Sequence, residues 1–91
     1  MKIINEIVDV VALFSVNLDY PRPIKMRYKV EDEGNKIVNI DKIVDFYKDK
    51  RKGETFWIFH CESNKVVNNE FIAFDLHYDK EIGRWFLHCI Y

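Results

Sequence analysis

Glycine, proline and cysteine are scarce in this 91-residue chain: three, two and two residues respectively. Gly34, Gly53 and Gly83 lie in separate stretches, so none opens a glycine-rich phosphate loop. No Cys-x-x-Cys or His-x-x-x-His spacing is present, which removes the common local zinc and redox motifs. Ser15 and Ser63 lack a glycine-framed elbow, so nucleophilic catalysis has little support and no catalytic residue or cofactor is assigned. No apolar run approaches the length of a membrane span. At the N-terminus, Glu6 and Asp9 interrupt the apolar residues and no small-residue cleavage site follows. Charge of neither sign dominates: the formal net charge is -1, so contact with nucleic acid or an anionic membrane needs a local patch. A single cytoplasmic domain spanning 1–91, with no membrane association, is the expectation by elimination.

Aromatic and branched residues are abundant. Hydrophobic residues make up 48% of the chain and aromatics 15%, enough to build one core. Three runs near the C-terminus, 55–63, 70–80 and 84–91, carry side chains that suit a pleated, half-buried surface. Asn68-Asn69 reads as the first turn between them and residues 80–83, closed by Gly83, as the second. These turns predict Cys61 opposite Leu76, His60 opposite His77, Tyr78 opposite Trp85, and Phe74 opposite Cys89. Both registers put Trp57, Phe59, Cys61, Ile72, Phe74, Leu76, Tyr78, Trp85, Leu87 and Cys89 on one face, the expected core. A one-residue slip would turn the whole set over. Cys61 and Cys89 then flank a middle strand, roughly 9–10 Å apart and beyond the roughly 7 Å reach of a disulfide, so both are expected as buried thiols.

The remaining chain reads as further strands. Residues 3–16 fit a helical stripe or a strand; their isoleucines and valines favour the strand, with cover on both apolar faces. Pro21 and Pro23 mark a connector. Residues 24–31 alternate strictly, with Ile24, Met26, Tyr28 and Val30 inward and charges outward. Residues 31–35 form a hairpin loop. A strand over 37–46 follows, with a bulge near Asp41-Lys42 where the alternation changes phase; a short helix over 41–48 competes. The fold expected is mainly β: a six-stranded antiparallel meander forming a small barrel or strongly bent sheet.

Pro23-Ile24-Lys25-Met26-Arg27-Tyr28, the Ile40–Val44 run and the closing Trp85-Phe86-Leu87 resemble small uncharacterised β-rich bacterial proteins. Those proteins pair a P-I-R-F-R-Y/W strand with a late tryptophan, and similar modules are appended to translesion-polymerase-like proteins. The chain has Lys-Met where that pattern more often has Arg-Phe. The resemblance implies the fold and carries over no site.

Three constellations are candidates for function. His60, His77 and His88 share the outer face with Asp75, a set of ligand types suited to zinc, or to proton transfer by a His–Asp pair. Consecutive strand residues point to opposite faces, so neither His-Cys dipeptide chelates locally, and cross-strand polar pairs on a wet face are the simpler account. Arg22, Lys25, Arg27 and Lys29 form a basic stripe that could track phosphates, with 48–52 as an extension; Tyr20 and Tyr47 are its only aromatic helpers. A solvated strand face explains the same stripe. Ile58, Phe71, Ala73, Phe86 and Ile90 fall on the outer face and mark a candidate protein interface, with a homodimer or another chain as partner. Cover from within the chain, by the N-terminal segment or the far wall of the barrel, is the alternative. The function expected is therefore a non-enzymatic binding or scaffold module acting through a sheet face, with a nucleic-acid-binding accessory domain second and a metal-binding protein or metal-dependent enzyme third.

Overall fold

The computed structural model describes residues 1–30, 32–67 and 70–91, and for 30, 64–67 and 70–71 the backbone only. The expected Asn68-Asn69 turn and Glu31 lie outside the described residues, as does the side chain of Phe71. Among the described residues seven strands follow one another: β1 (Lys2–Leu13), β2 (Arg22–Val30), β3 (Gly34–Asn39), β4 (Lys42–Arg51), β5 (Glu54–Val67), β6 (Glu70–Asp79) and β7 (Arg84–Ile90). They form one sheet in the order β3-β2-β1-β7-β6-β5-β4. Residues 3–16 resolve as strand through Leu13, and neither competing helix is present among the described residues.

Every ladder is antiparallel. Counting the reversals along the sheet, β3 and β4 therefore run in the same direction, although they sit on opposite edges. Ile40 and Asp41 join them end to end. The Ile40 amide still donates to the Ile24 carbonyl beyond the β2–β3 ladder, whereas the Asp41 amide donates to Glu62 of β5. The strand expected over 37–46 thus changes neighbours at the point where its alternation changes phase. That break makes seven strands where six were expected. The sheet is strongly bent but does not close, because among the described residues β3 and β4 do not pair with each other.

Two turns follow their residues. Lys52 and Gly53 both have positive φ, 49° and 81°, between the paired Arg51 and Glu54, the two-residue turn that matches strand twist. Gly83, at φ 66°, closes the β6–β7 turn by donating to the Asp79 carbonyl. Asp79 Oδ1 also accepts from the Glu81 amide, which satisfies this buried carboxylate.

The core lies on the expected face. Trp57, Phe59, Cys61, Phe74, Leu76, Trp85 and Leu87 are buried together with Val8, Met26 and Val38, and Ile72, Tyr78 and Tyr28 pack against them. The register that delivers this differs from the expected one in two places. Across β5–β6, Cys61 lies opposite Phe74 and Phe59 opposite Leu76, two residues from the prediction. Val67 and Glu70 keep the predicted register, and the shift occurs between Ser63 and Val67. A shift of two preserves the faces, because side chains alternate with period two.

The second difference reverses two side chains. β6–β7 holds the expected register from Asp79↔Arg84 to Leu76↔Leu87, then shifts so that Asp75 meets Cys89 and Phe74 meets Ile90. His88 is the extra residue of this bulge. Cys89 consequently joins Asp75 on the outer face, and Ile90 packs against the core instead of serving an interface. A comparable irregularity in β1–β2 sets Ala12 opposite Pro23. Pro23 is buried there and Ile24, expected inside, is exposed. β1 corrects one further expectation, since its outer side chains Ile3, Ile7 and Val11 lie open to solvent and only its inner face is covered.

Leu76 is fully buried between Phe59 and Leu87 at the centre of the sheet. Leu76→Ala should lower unfolding free energy by roughly 2–5 kcal/mol, measured by denaturant titration. A loss below about 0.5 kcal/mol, the surface range, would exclude Leu76 from the core.

Candidate functional site on the outer face

The three histidines do not form one cluster. The two-residue shift between β5 and β6 sets Ile58 opposite His77 and His60 opposite Asp75. His60 Nδ1 donates to Asp75 Oδ1 at 2.5 Å. A carboxylate can only accept, so the proton resides on Nδ1. Asp75 is buried and accepts a second hydrogen bond, 2.6 Å from the Tyr91 hydroxyl. Tyr91 is held above the usual tyrosine range chiefly by that bond, with partial burial adding to it. Cys89 completes this group: its thiol is raised by burial, and its bond with Tyr91 partly opposes the rise.

His77 and His88 form the second group. Their rings stack with centroids 4.5 Å apart. His88 Nδ1 lies 2.6 Å from Asn5 Oδ1. Asn5 adopts φ 51° where the β1–β7 register shifts between Ile3 and Glu6. Asparagine tolerates this left-handed conformation better than most residues, which fits it to the position. Burial and the neighbouring His88 lower His77 to about 4, so it is neutral at pH 7. Together with Phe56 and Ile58 these side chains line a shallow groove of about 620 Å³ on the outer face.

Among the described residues no group of three or more His, Cys, Asp or Glu side chains is placed to hold a metal ion. The two groups explain why. Asp75 has turned to His60 and Tyr91, and His77 and His88 face each other rather than a common centre. The His60–Asp75 pair has the form of an oriented base. Ser63, buried in β5, has a longer contact with Asp41 Oδ2 at 3.5 Å. Cys61, on the opposite face, has its thiol pushed up to about 12 by burial and by Asp75.

The basic stripe is present on β2, with Arg22, Lys25, Arg27 and Lys29 all exposed. Its register partners dilute it. Arg27 lies opposite Asp9 and pairs with it at 2.5 Å, while Lys25 lies between Val11 and Asn39. The expected extension, 48–52, belongs to β4 and its turn, at the far end of the sheet order, where Arg51 pairs with Asp49 at 2.6 Å. Neither aromatic helper joins the stripe: Tyr20 packs against Phe46 and Trp57, and Tyr47 stands beside His60.

The expected interface is redrawn as well. Ile58 is 3% exposed, buried within the chain itself. Phe86 is half-buried on the outer face, where it pairs with Ile7 on one side and His77 on the other. Ile90 has turned inward and the side chain of Phe71 is outside the described residues. Exposed apolar side chains elsewhere include Ile7 62%, Val11 51% and Ile37 54% on β1 and β3, as well as Val44, Phe46 and Tyr47 on β4. Reading residues 3–16 as apolar on both faces contained the signal for this; the assumption that both faces were covered concealed it.

The chain was compared with models of protein families, with curated proteins and with solved structures, and it matches none of them. Among the described residues no helix is long and apolar enough to cross a membrane.

Two measurements test this geometry. His77 binds its proton less tightly folded than unfolded, so its neutral form supports the fold above its ordinary pKa of 6.5, and that support is lost as pH falls toward about 4. Proton NMR should show one imidazole titrating near 4, and a value near 6.5 for all three rings would refute the stacked, desolvated arrangement. Cys61 and Cys89 are both free and buried. Native protein should therefore label slowly with a thiol reagent and rapidly once unfolded, whereas fast native labelling of either would contradict its placement.

Proposed function

We propose that the chain is a non-enzymatic binding module that holds a protein partner against the outer face of β1 and its neighbours. The observation that supports this reading is the exposed apolar set on that face: Ile7 beside Phe86, then Val11 and Ile37. A solvated sheet face ordinarily alternates to polar side chains. Here Phe86, Ile7 and Val11 keep the face apolar across β7 and β1, and Ile37 does so on β3, with Asp9 between Ile7 and Val11 and with Lys25 and Arg27 of β2 between β1 and β3, a mixed apolar and charged composition suited to contact with protein. Fully burying an aliphatic side chain contributes roughly 1.5–3 kcal/mol, so several together can exceed the costs of association. The Asp9–Arg27 pair and the apolar neighbours of the stripe favour protein over a phosphate backbone.

A photocrosslinking residue placed at Ile7 should yield one discrete adduct in cells, and the same residue at exposed Ile82, on the β6–β7 turn, should not. Val11→Lys should abolish the adduct while leaving the folded far-UV spectrum unchanged. Absence of an adduct at Ile7 would overturn the reading. Salt-sensitive binding of a single-stranded oligonucleotide that is lost in the Lys25→Glu, Lys29→Glu double variant would assign the face to nucleic acid instead.

A further inference from the structure

β4 ends the sheet. It is ten residues long, and among the described residues its ladder is with β5 alone. Arg51 and Glu54 flank the two-residue Lys52-Gly53 turn, the position where both residues exchange backbone hydrogen bonds. Stepping back by twos, the backbone groups of Asp49, Tyr47 and Asp45 turn toward β5, and those of Phe46, Lys48 and Lys50 turn toward the open side. The Phe46 amide bears this out, since it donates to Asp45 Oδ1 at 2.9 Å rather than to a ladder carbonyl. An open edge of this length is a template for another strand.

We propose that this edge pairs with the same edge of a second copy of the chain, antiparallel, with Lys48 opposite Lys48 of the second copy. Charge selects both the partner and the register. Pairing about Lys48 uses all three positions that turn away from β5, because Phe46 meets Lys50 of the second copy and the reverse; the Phe46 amide exchanges its own Asp45 Oδ1 for a carbonyl of the second copy, which releases the Asp45 carboxylate. It also sets Asp45 opposite Arg51 of the second copy, twice by symmetry, at the non-hydrogen-bonded positions where side chains approach most closely. Moving the register two residues one way brings Asp45 against Asp49 of the second copy; the other way brings Asp49 against Asp49. A one-residue shift would place open backbone groups against groups already committed to β5. The like charges of the two Lys48 residues are drawn apart, because each ammonium lies over its own Trp57 ring, 5.8 Å from the centroid. The Arg51 Nε holds its own Asp49 at 2.6 Å, but the side chain is 73% exposed and its remaining guanidinium N–H groups can reach across.

Sedimentation equilibrium of the full chain tests this without reference to the β1 face. Wild type should show a concentration-dependent dimer that Ile7→Lys leaves intact. Asp45→Arg and Arg51→Asp should each weaken association about tenfold, and the double variant should restore it. Lys48→Thr, which removes the like charges at the axis, should tighten it. A protein that stays monomeric at the highest attainable concentration overturns the proposal. So does a dimer indifferent to either charge reversal, or one that the double variant fails to restore. Restoration also separates lost pairing from lost folding, since a misfolded single variant would not recover by adding a second reversal.

Discussion

The contact on which the architecture depends is the packing of rings around Phe59. This side chain is fully excluded from water near the middle of β5. Its ring centroid lies 5.6 Å from Trp85, 5.9 Å from Tyr20 and 6.0 Å from Phe46. Those three rings come from β7, from the β1–β2 connector and from β4. One side chain thus ties the sheet centre to its edge and to the loop that crosses beneath it. Offset and tilted ring pairs at these separations add roughly 0.5–1.5 kcal/mol each beyond the area they bury. The strong bend of the sheet is what brings a connector residue and an edge residue onto the same ring.

Much of this was legible because period-two alternation is strict where one face is buried. Trp57, Phe59, Leu76, Tyr78, Trp85 and Leu87 could be assigned to one side from spacing alone, and an error of two residues in register left that assignment intact. Bulges were not legible in the same way. His88, Ile24 and the Ile4-Asn5 step each insert or displace one residue, and the local sequence HCI or PIK looks like ordinary alternation. What decides each bulge is the partner strand: Asp75 needs His60 and Tyr91, and Ile90 finds room against the core only if Cys89 turns away. Such choices depend on tertiary contacts that a single strand does not carry.

The same bulges account for the fate of the candidate sites. A patch of three histidines and an aspartate is plausible only if the registers hold without interruption across β5, β6 and β7. Two departures divide it into a carboxylate-centred group and a stacked pair. The apolar surface moved for a related reason. It was sought among C-terminal strands, whose registers could be argued, and it lies on β1, whose pairing with β7 joins opposite ends of the chain.

That pairing has a kinetic side. Five of the six ladders join strands that are consecutive in the chain, so each can form as a local hairpin with little loop to close. The sixth, β1 with β7, brings Lys2 to Ile90 and bears the loop-closure entropy of nearly the entire polypeptide. Val8 and Trp85 sit opposite each other in it, so part of the core remains incomplete until it forms. Nascent chains must therefore hold two hairpin assemblies, β1–β3 and β4–β7, with partly exposed inner faces before these are joined. The Ile40–Asp41 joint is the covalent link between them, and its two-residue length keeps the halves within reach of each other while the last ladder registers.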